Sequence, residues 1–286
     1  MKRFTLLLFS TISVLIFAIN PYKPTTKIPQ MVDGKKLVFS EEFNYTGKPD
    51  SANWNYEIGF KRNNELQWYQ SDNAYCSDGR LRIEGRKVSL PNPNFVADSK
   101  DWRKNREFIT YTASSITTAK KKTWLYGRFE VRARIDTAMG SWPAIWLLGS
   151  GRQWPSNGEI DMMEFYRYKG EAVVLANVAW GGKGRFNPVW DTYRKPLSEL
   201  MAKDKNWDKK YHVWRMDWTP DEIKLYVDDE LYNATLLSET FNPDGYNPFT
   251  QPMYLLLNLA IGSNGGTPDP LKKSFFYEVD YVRVYQ

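Results

Sequence analysis

The chain has 286 residues, enough for one large domain with a full hydrophobic core. Its formal charge of +6 comes from 39 Lys and Arg against 33 Asp and Glu, and its densest basic run, Lys120–Lys122, reads as a solvated turn, so no nucleic-acid-binding footprint is present. One cysteine, Cys76, and one histidine, His212, exclude an internal disulfide, a Cys-ligated metal and the two-histidine ligand sets of zinc hydrolases.

In chain order, the first element is an export signal. Lys2 and Arg3 precede an apolar run from Phe4 to Ile19, which is the layout of a secretory signal peptide over residues 1–20. Ala18 is the only small residue near its end, so an uncleaved N-terminal anchor stays open beside a cleaved signal. No cysteine follows, which excludes a lipoprotein anchor. Residues 21–36 are Pro-rich and polar and read as a leader. From residue 37 to 286 the pattern is one domain made almost wholly of strands.

Leu81–Arg86, Phe129–Ile135, Glu222–Asp229, Pro252–Gly262 and Tyr277–Gln286 carry strand patterns, separated by Gly, Pro, Asn and Asp clusters. In Phe129–Ile135 the alternation is strict: Phe129, Val131, Ala133 and Ile135 against Glu130, Arg132 and Arg134. Lys195–Asp204 alone suggests a short helix. Many strands with turns between them predict an all-β sandwich or barrel. His212, between aromatics in a strand pattern, reads as a packed histidine. The aromatic content of 16% has two readings, a sheet-rich core or a groove lined with flat side chains.

One strand breaks the rules. Asn157–Phe165 carries Glu159, Asp161 and Glu164 among Ile160, Met162, Met163 and Phe165. Regular alternation puts Glu159 and Asp161 on one face and Glu164 on the other. A buried, unpaired carboxylate costs several kcal/mol, on the order of the penalty for any uncompensated buried charge. A β-bulge at Met162–Met163 removes the conflict by turning Glu164 to the face of the other two acids. Such a face could bind Ca²⁺, pair with Arg128, Arg132 and Arg134, or work as a catalytic carboxylate pair. Two glutamates with an aspartate between them suit glycosidic bond cleavage.

With Glu-x-Asp-x-x-Glu at 159–164, the chain resembles glycoside hydrolase family 16, in its laminarinase-like branch. Leu37–Phe43, Asn63–Tyr69, Tyr126–Ile135, Gly140–Gly149, Pro252–Gly262 and Val279–Gln286 look like family blocks in family order. The resemblance implies a β-jelly-roll sandwich with a concave substrate cleft. It implies retaining, endo-acting hydrolysis of a polysaccharide, with no cofactor for catalysis, no nucleic acid and a monomeric chain. Carried over by position, Glu159 is the nucleophile, Asp161 the assisting acid and Glu164 the acid/base.

Trp142 and Trp146, at i and i+4 on one strand face, match sugar platforms, and Asn64 matches a sugar-holding asparagine. Trp180 and Asn258 complete the expected substrate-binding set. Glu42 and Asp280 are the expected contributors to a structural Ca²⁺ near the first and last strands. One departure concerns substrate: Ala179 stands where many family glucanases carry a histidine. The implied substrate is a β-1,3- or β-1,3/1,4-glucan. The alternative is a β-1,4-galactosidic glycan, of the poly-N-acetyllactosamine, mucin or algal type. A transglycosylase uses the same residues, and a non-catalytic glucan-binding module is opposed by the presence of all three acids.

Overall fold

The computed structural model describes residues 28–286. The expected signal segment 1–20 and residues 21–27 of the leader lie outside the described residues. Two β-sheets account for about half of the described residues, one eleven-stranded and the other seven-stranded. In the smaller sheet the strands run in the order Pro188–Pro196, Glu171–Gly181, Glu159–Tyr168, Ser141–Gly149, Met253–Ile261, Ser115–Thr117 and Asn55–Tyr56, with every neighbour antiparallel. The larger sheet is built around Gly127–Arg134, Ser274–Tyr285 and Arg80–Pro91.

The core lies between the sheets. Ile145, Leu147, Ile160, Phe165, Val174, Val178, Leu257 and Leu259 of the smaller sheet share it with Phe129, Val131, Trp214, Met216 and Val279 of the larger. Each is a large apolar residue at the inward position of its strand, many of them β-branched or aromatic, and each such burial contributes about 1.5–3 kcal/mol. Truncating one, as in Ile160→Ala, costs roughly 2–5 kcal/mol through the lost contacts and the cavity left behind.

Gly127–Arg134 alternates as its sequence predicts, with Phe129, Val131 and Ala133 buried and Arg128, Arg132 and Arg134 turned outward. These arginines pair with Asp217, Asp280 and Glu278 on the outer face of the larger sheet. They are therefore not the partners of the three acids, which belong to the other sheet.

Several bounds differ from the sequence expectation. The strand expected at Leu81–Arg86 runs from Arg80 to Pro91. The strand expected at Glu222–Asp229 stops at Val227, because Asp228 and Asp229 take positive φ in the turn that follows. The short helix is Leu197–Lys203, inside its expected span. His212 is a packed residue: it stacks on Trp207 with centroids 4.0 Å apart, and its ring nitrogens meet Asp228 and the Trp207 carbonyl.

Candidate active site

Ser141–Gly149 and Met253–Ile261 are buried on both faces, although only one face of the smaller sheet meets the core. Their other face is the floor of a cleft of about 600 Å³. Glu159, Glu164, Trp142, Trp146, Asn177 and Asn258 all line it.

The bulge exists. On one side Ile145 pairs with Met163 and Trp146 with Asp161, which leaves Met162 without a partner. On the other, Asp161 pairs with Asn177 and Glu164 with Leu175, so the register shifts between the two acids. Met162 and Met163 are both buried in the core, and the extra residue turns Glu164 back toward Glu159. The driving force is apolar burial of two adjacent methionines together with the cost of sending Glu164 inward.

A hydrogen-bond network holds the acids. Trp154 donates its indole N–H to Glu159 Oε2 at 2.7 Å. Trp142 donates to Glu164 Oε1 at 3.0 Å. Asn177 Nδ2 lies 3.0 Å from Asp161 Oδ2 and 3.0 Å from Glu164 Oε2, and so bridges two of the three. The loop carrying Trp154 returns to the strand through Gly158, whose φ is +77° and where a Cβ would sit 2.8 Å from Pro248.

Burial pushes Glu159 up to about 7, with the Glu164 charge adding to the rise and the Trp154 N–H opposing it. Burial likewise pushes Glu164 up to about 6, against the donors Trp142, Asp161 and Asn177. Asp161, between them, is raised well above the usual carboxylate range, by burial first and then by the Glu164 and Glu159 charges. Glu159 and Glu164 thus hold protons near neutral pH, and Asp161 is pushed in the same direction. As an acid it can share its proton with either glutamate.

The other expected residues fall in different places. Trp142 and Trp146 share the cleft face, as their spacing predicts, but they are 7% and 8% exposed. Trp146 donates to Asn258 Oδ1 at 2.7 Å, and Asn258 in turn donates to the Tyr69 hydroxyl at 3.0 Å. The Arg62 guanidinium, paired with Glu57, lies 5.0 Å from the Trp146 ring centroid. Trp146 is therefore not a bare platform: the surface it offers includes the Arg62 guanidinium as well as indole.

Asn64 is not a cleft residue. It is exposed, with φ +52°, and its carbonyl accepts from Arg106 at 2.9 Å. The neighbouring Asn63 lines the cleft instead. Trp180 is also turned away: Asn177 and Ala179 face the cleft, so strand alternation sends Trp180 to the core, against which it packs.

The two calcium candidates do not fit a cation site. Arg283 takes both oxygens of Glu42 at 2.8 Å, and Arg132 takes Asp280. Among the described residues, no three His, Cys, Asp or Glu side chains come together as a metal would need.

Trp154 and Asn177 were absent from the expected set. Trp154 sits in a loop, where no strand period applies. Asn177 carried a readable signal, a lone amide inside the apolar run Ala172–Trp180, of the same kind as the acids themselves.

Residues 60–283 match the family described as Glycosyl hydrolases family 16. The chain belongs to that family. This family 16 chain is 34% identical over 267 residues to a beta-glucanase of Rhodothermus marinus, a match covering 88% of the chain and 85% of the relative. It is 30% identical over 260 residues to a keratan-sulfate endo-1,4-beta-galactosidase of Sphingobacterium multivorum, covering 88% of the chain and 55% of the relative. One solved structure comes from work on endo-acting O-glycanases that prominent members of the human gut microbiota express to initiate mucin breakdown. It superposes with a TM-score of 0.81 at 34% identity, covering 91% of this chain and 94% of that one. The two sheets are the expected jelly-roll sandwich, and the family 16 chain is a glycoside hydrolase acting on internal glycosidic bonds.

Proposed function

We propose that the chain is a retaining endo-hydrolase of β-1,3- or β-1,3/1,4-glucan, with Glu159 as nucleophile and Glu164 as acid/base. The observation that carries the chemistry is the bulged strand, which presents Glu159, Asp161 and Glu164 on one face of an open cleft. The likeness to the Rhodothermus marinus beta-glucanase supports the glucan.

In the first step a Glu159 oxygen attacks the anomeric carbon. The bond from that carbon to the bridging oxygen breaks as Glu164 gives its proton to the leaving oxygen. In the second step Glu164 takes a proton from water. The water oxygen attacks the same carbon and the ester to Glu159 breaks. A bound sugar favours this division of roles. Partial positive charge at the anomeric carbon faces Glu159 and stabilises its ionised form, while the lone pairs of the bridging oxygen favour the proton on Glu164. Asp161 hydrogen-bonds Glu159 and holds the two charges apart. No step calls for a cofactor.

A second reading, cleavage of β-1,4-galactosidic glycans, is favoured by one feature. Ala179 pairs directly with Glu159, so the position next to that acid carries a methyl group and no imidazole. The likeness to the structure from the O-glycanase work supports it too. A digestion panel of laminarin, lichenan, agarose, keratan and mucin, with product sizing, separates the two. Early proton NMR of the new reducing end tests retention. A β-anomer first is expected, and an α-anomer first refutes the double displacement. Export, proposed from the N-terminal sequence, is checked by sequencing the N-terminus of the secreted protein, and the monomeric state, proposed from the family resemblance, by sizing it.

A further inference from the structure

We infer that the cleft has an additional sugar subsite at its edge-strand end, with Trp190 as the stacking platform. The inference rests on the reading of the cleft as a glycan site, and it names a residue that this reading does not use.

Register places the parts. Trp190 pairs with Ala179, and Ala179 pairs with Glu159, so the three side chains stand in a row on one face of the sheet. All strands here are about 4.8 Å apart, which puts Trp190 roughly 9.5 Å from the strand of Glu159. That is beyond the ring whose bond breaks and opposite the next one in the chain. The same cavity contains both residues, and Trp154, tied to Glu159, forms its other wall.

Exposure separates Trp190 from the expected platforms. It is 42% exposed, against 7% and 8% for Trp142 and Trp146, whose indole N–H groups are committed to Glu164 and Asn258. Among the described residues no aromatic ring stacks on Trp190. Open, large and apolar, it offers the flat face that suits the C–H side of a pyranose. Thr192 continues along the same strand face beside Asn177 and supplies a hydroxyl for the ring's polar rim.

The test uses inactive Glu159→Gln protein titrated by calorimetry with two probes, laminarihexaose and a desulfated keratan hexasaccharide. Adding Trp190→Ala is expected to weaken the hexasaccharide that binds by about tenfold, the order of loss for one aromatic stacking surface. Adding Trp190→Phe, which keeps a ring, is expected to recover most of that affinity. Unchanged affinity in the Ala variant overturns the subsite alone. Equal weakening by Phe and Ala also overturns it, because the ring is then not the cause. Binding of neither probe by the Glu159→Gln parent counts against both substrate readings, and against the subsite with them.

Discussion

The indole N–H of Trp154 points at Oε2 of Glu159 from 2.7 Å, so a loop residue five positions upstream fixes one oxygen of the proposed nucleophile. A donor to a carboxylate stabilises its ionised form and lowers its pKa, here against the rise that burial imposes. Glu159 must be ionised to attack. Trp154→Phe should therefore move the acidic limb of the kcat/KM profile to higher pH, by about one unit for a hydrogen bond worth roughly 1.4 kcal/mol. An unmoved limb would show that the bond does not tune the nucleophile.

Glu159→Gln should lower activity at least ~10³-fold, because the covalent step is lost. Its effect on stability should have the opposite sign. The raised pKa means that the folded state binds more protons than the unfolded state between about 4.5 and about 7. Stability from this group is fully present below the unfolded value and is lost as pH rises through the folded one. Thermal unfolding of the wild type should thus weaken across that window, and the slope should flatten in Glu159→Gln. A variant that keeps more than a few per cent of activity, a threshold on the order of 10⁻² set by the same loss, refutes the role.

Asn177→Ala removes the shared donor of Asp161 and Glu164. Glu164 must be protonated in the first step, and losing a donor to its charged form raises its pKa. The alkaline limb should move to higher pH, and kcat should fall about 10²-fold as the carboxyls shift. A profile that only scales down, with both limbs in place, would assign Asn177 to packing.

Deleting Met163 leaves Glu159, Asp161 and Glu164 at alternate positions of a regular strand, still on one face but at a changed spacing. The protein should fold with a lower melting temperature, since a buried methionine costs roughly 2–5 kcal/mol when removed. It should be slower by about 10²-fold, through misplacement of Glu164, and remain more active than Glu159→Gln. Full activity would mean that the bulge is not needed to space the carboxyls.

How far the sequence reached can be judged element by element. The strict alternation of Phe129–Ile135 set both its strand and its two faces, because a period of two leaves no choice once one side is apolar. The three acids and the bulge were legible for a related reason: charges in an apolar strand must be turned to a wet face, and only an extra residue does this for all three. Periodicity could not identify what lies beside that face. Trp154 arrives on a loop, and Asn177 and Trp190 arrive on strands paired across the sheet. Nor did the sequence show that Arg62 covers Trp146 or that Arg283 and Arg132 consume Glu42 and Asp280.

The sequence by itself determined the strand-rich class, the inward face of its central strands and the acids that had to share a surface, since these depend on spacing along one strand. The tertiary structure alone decided which donors meet those acids, which aromatic is covered and which stays open. Those contacts join residues far apart in the chain, and they follow from strand order, register and loop path, none of which a single segment's hydrophobic pattern fixes.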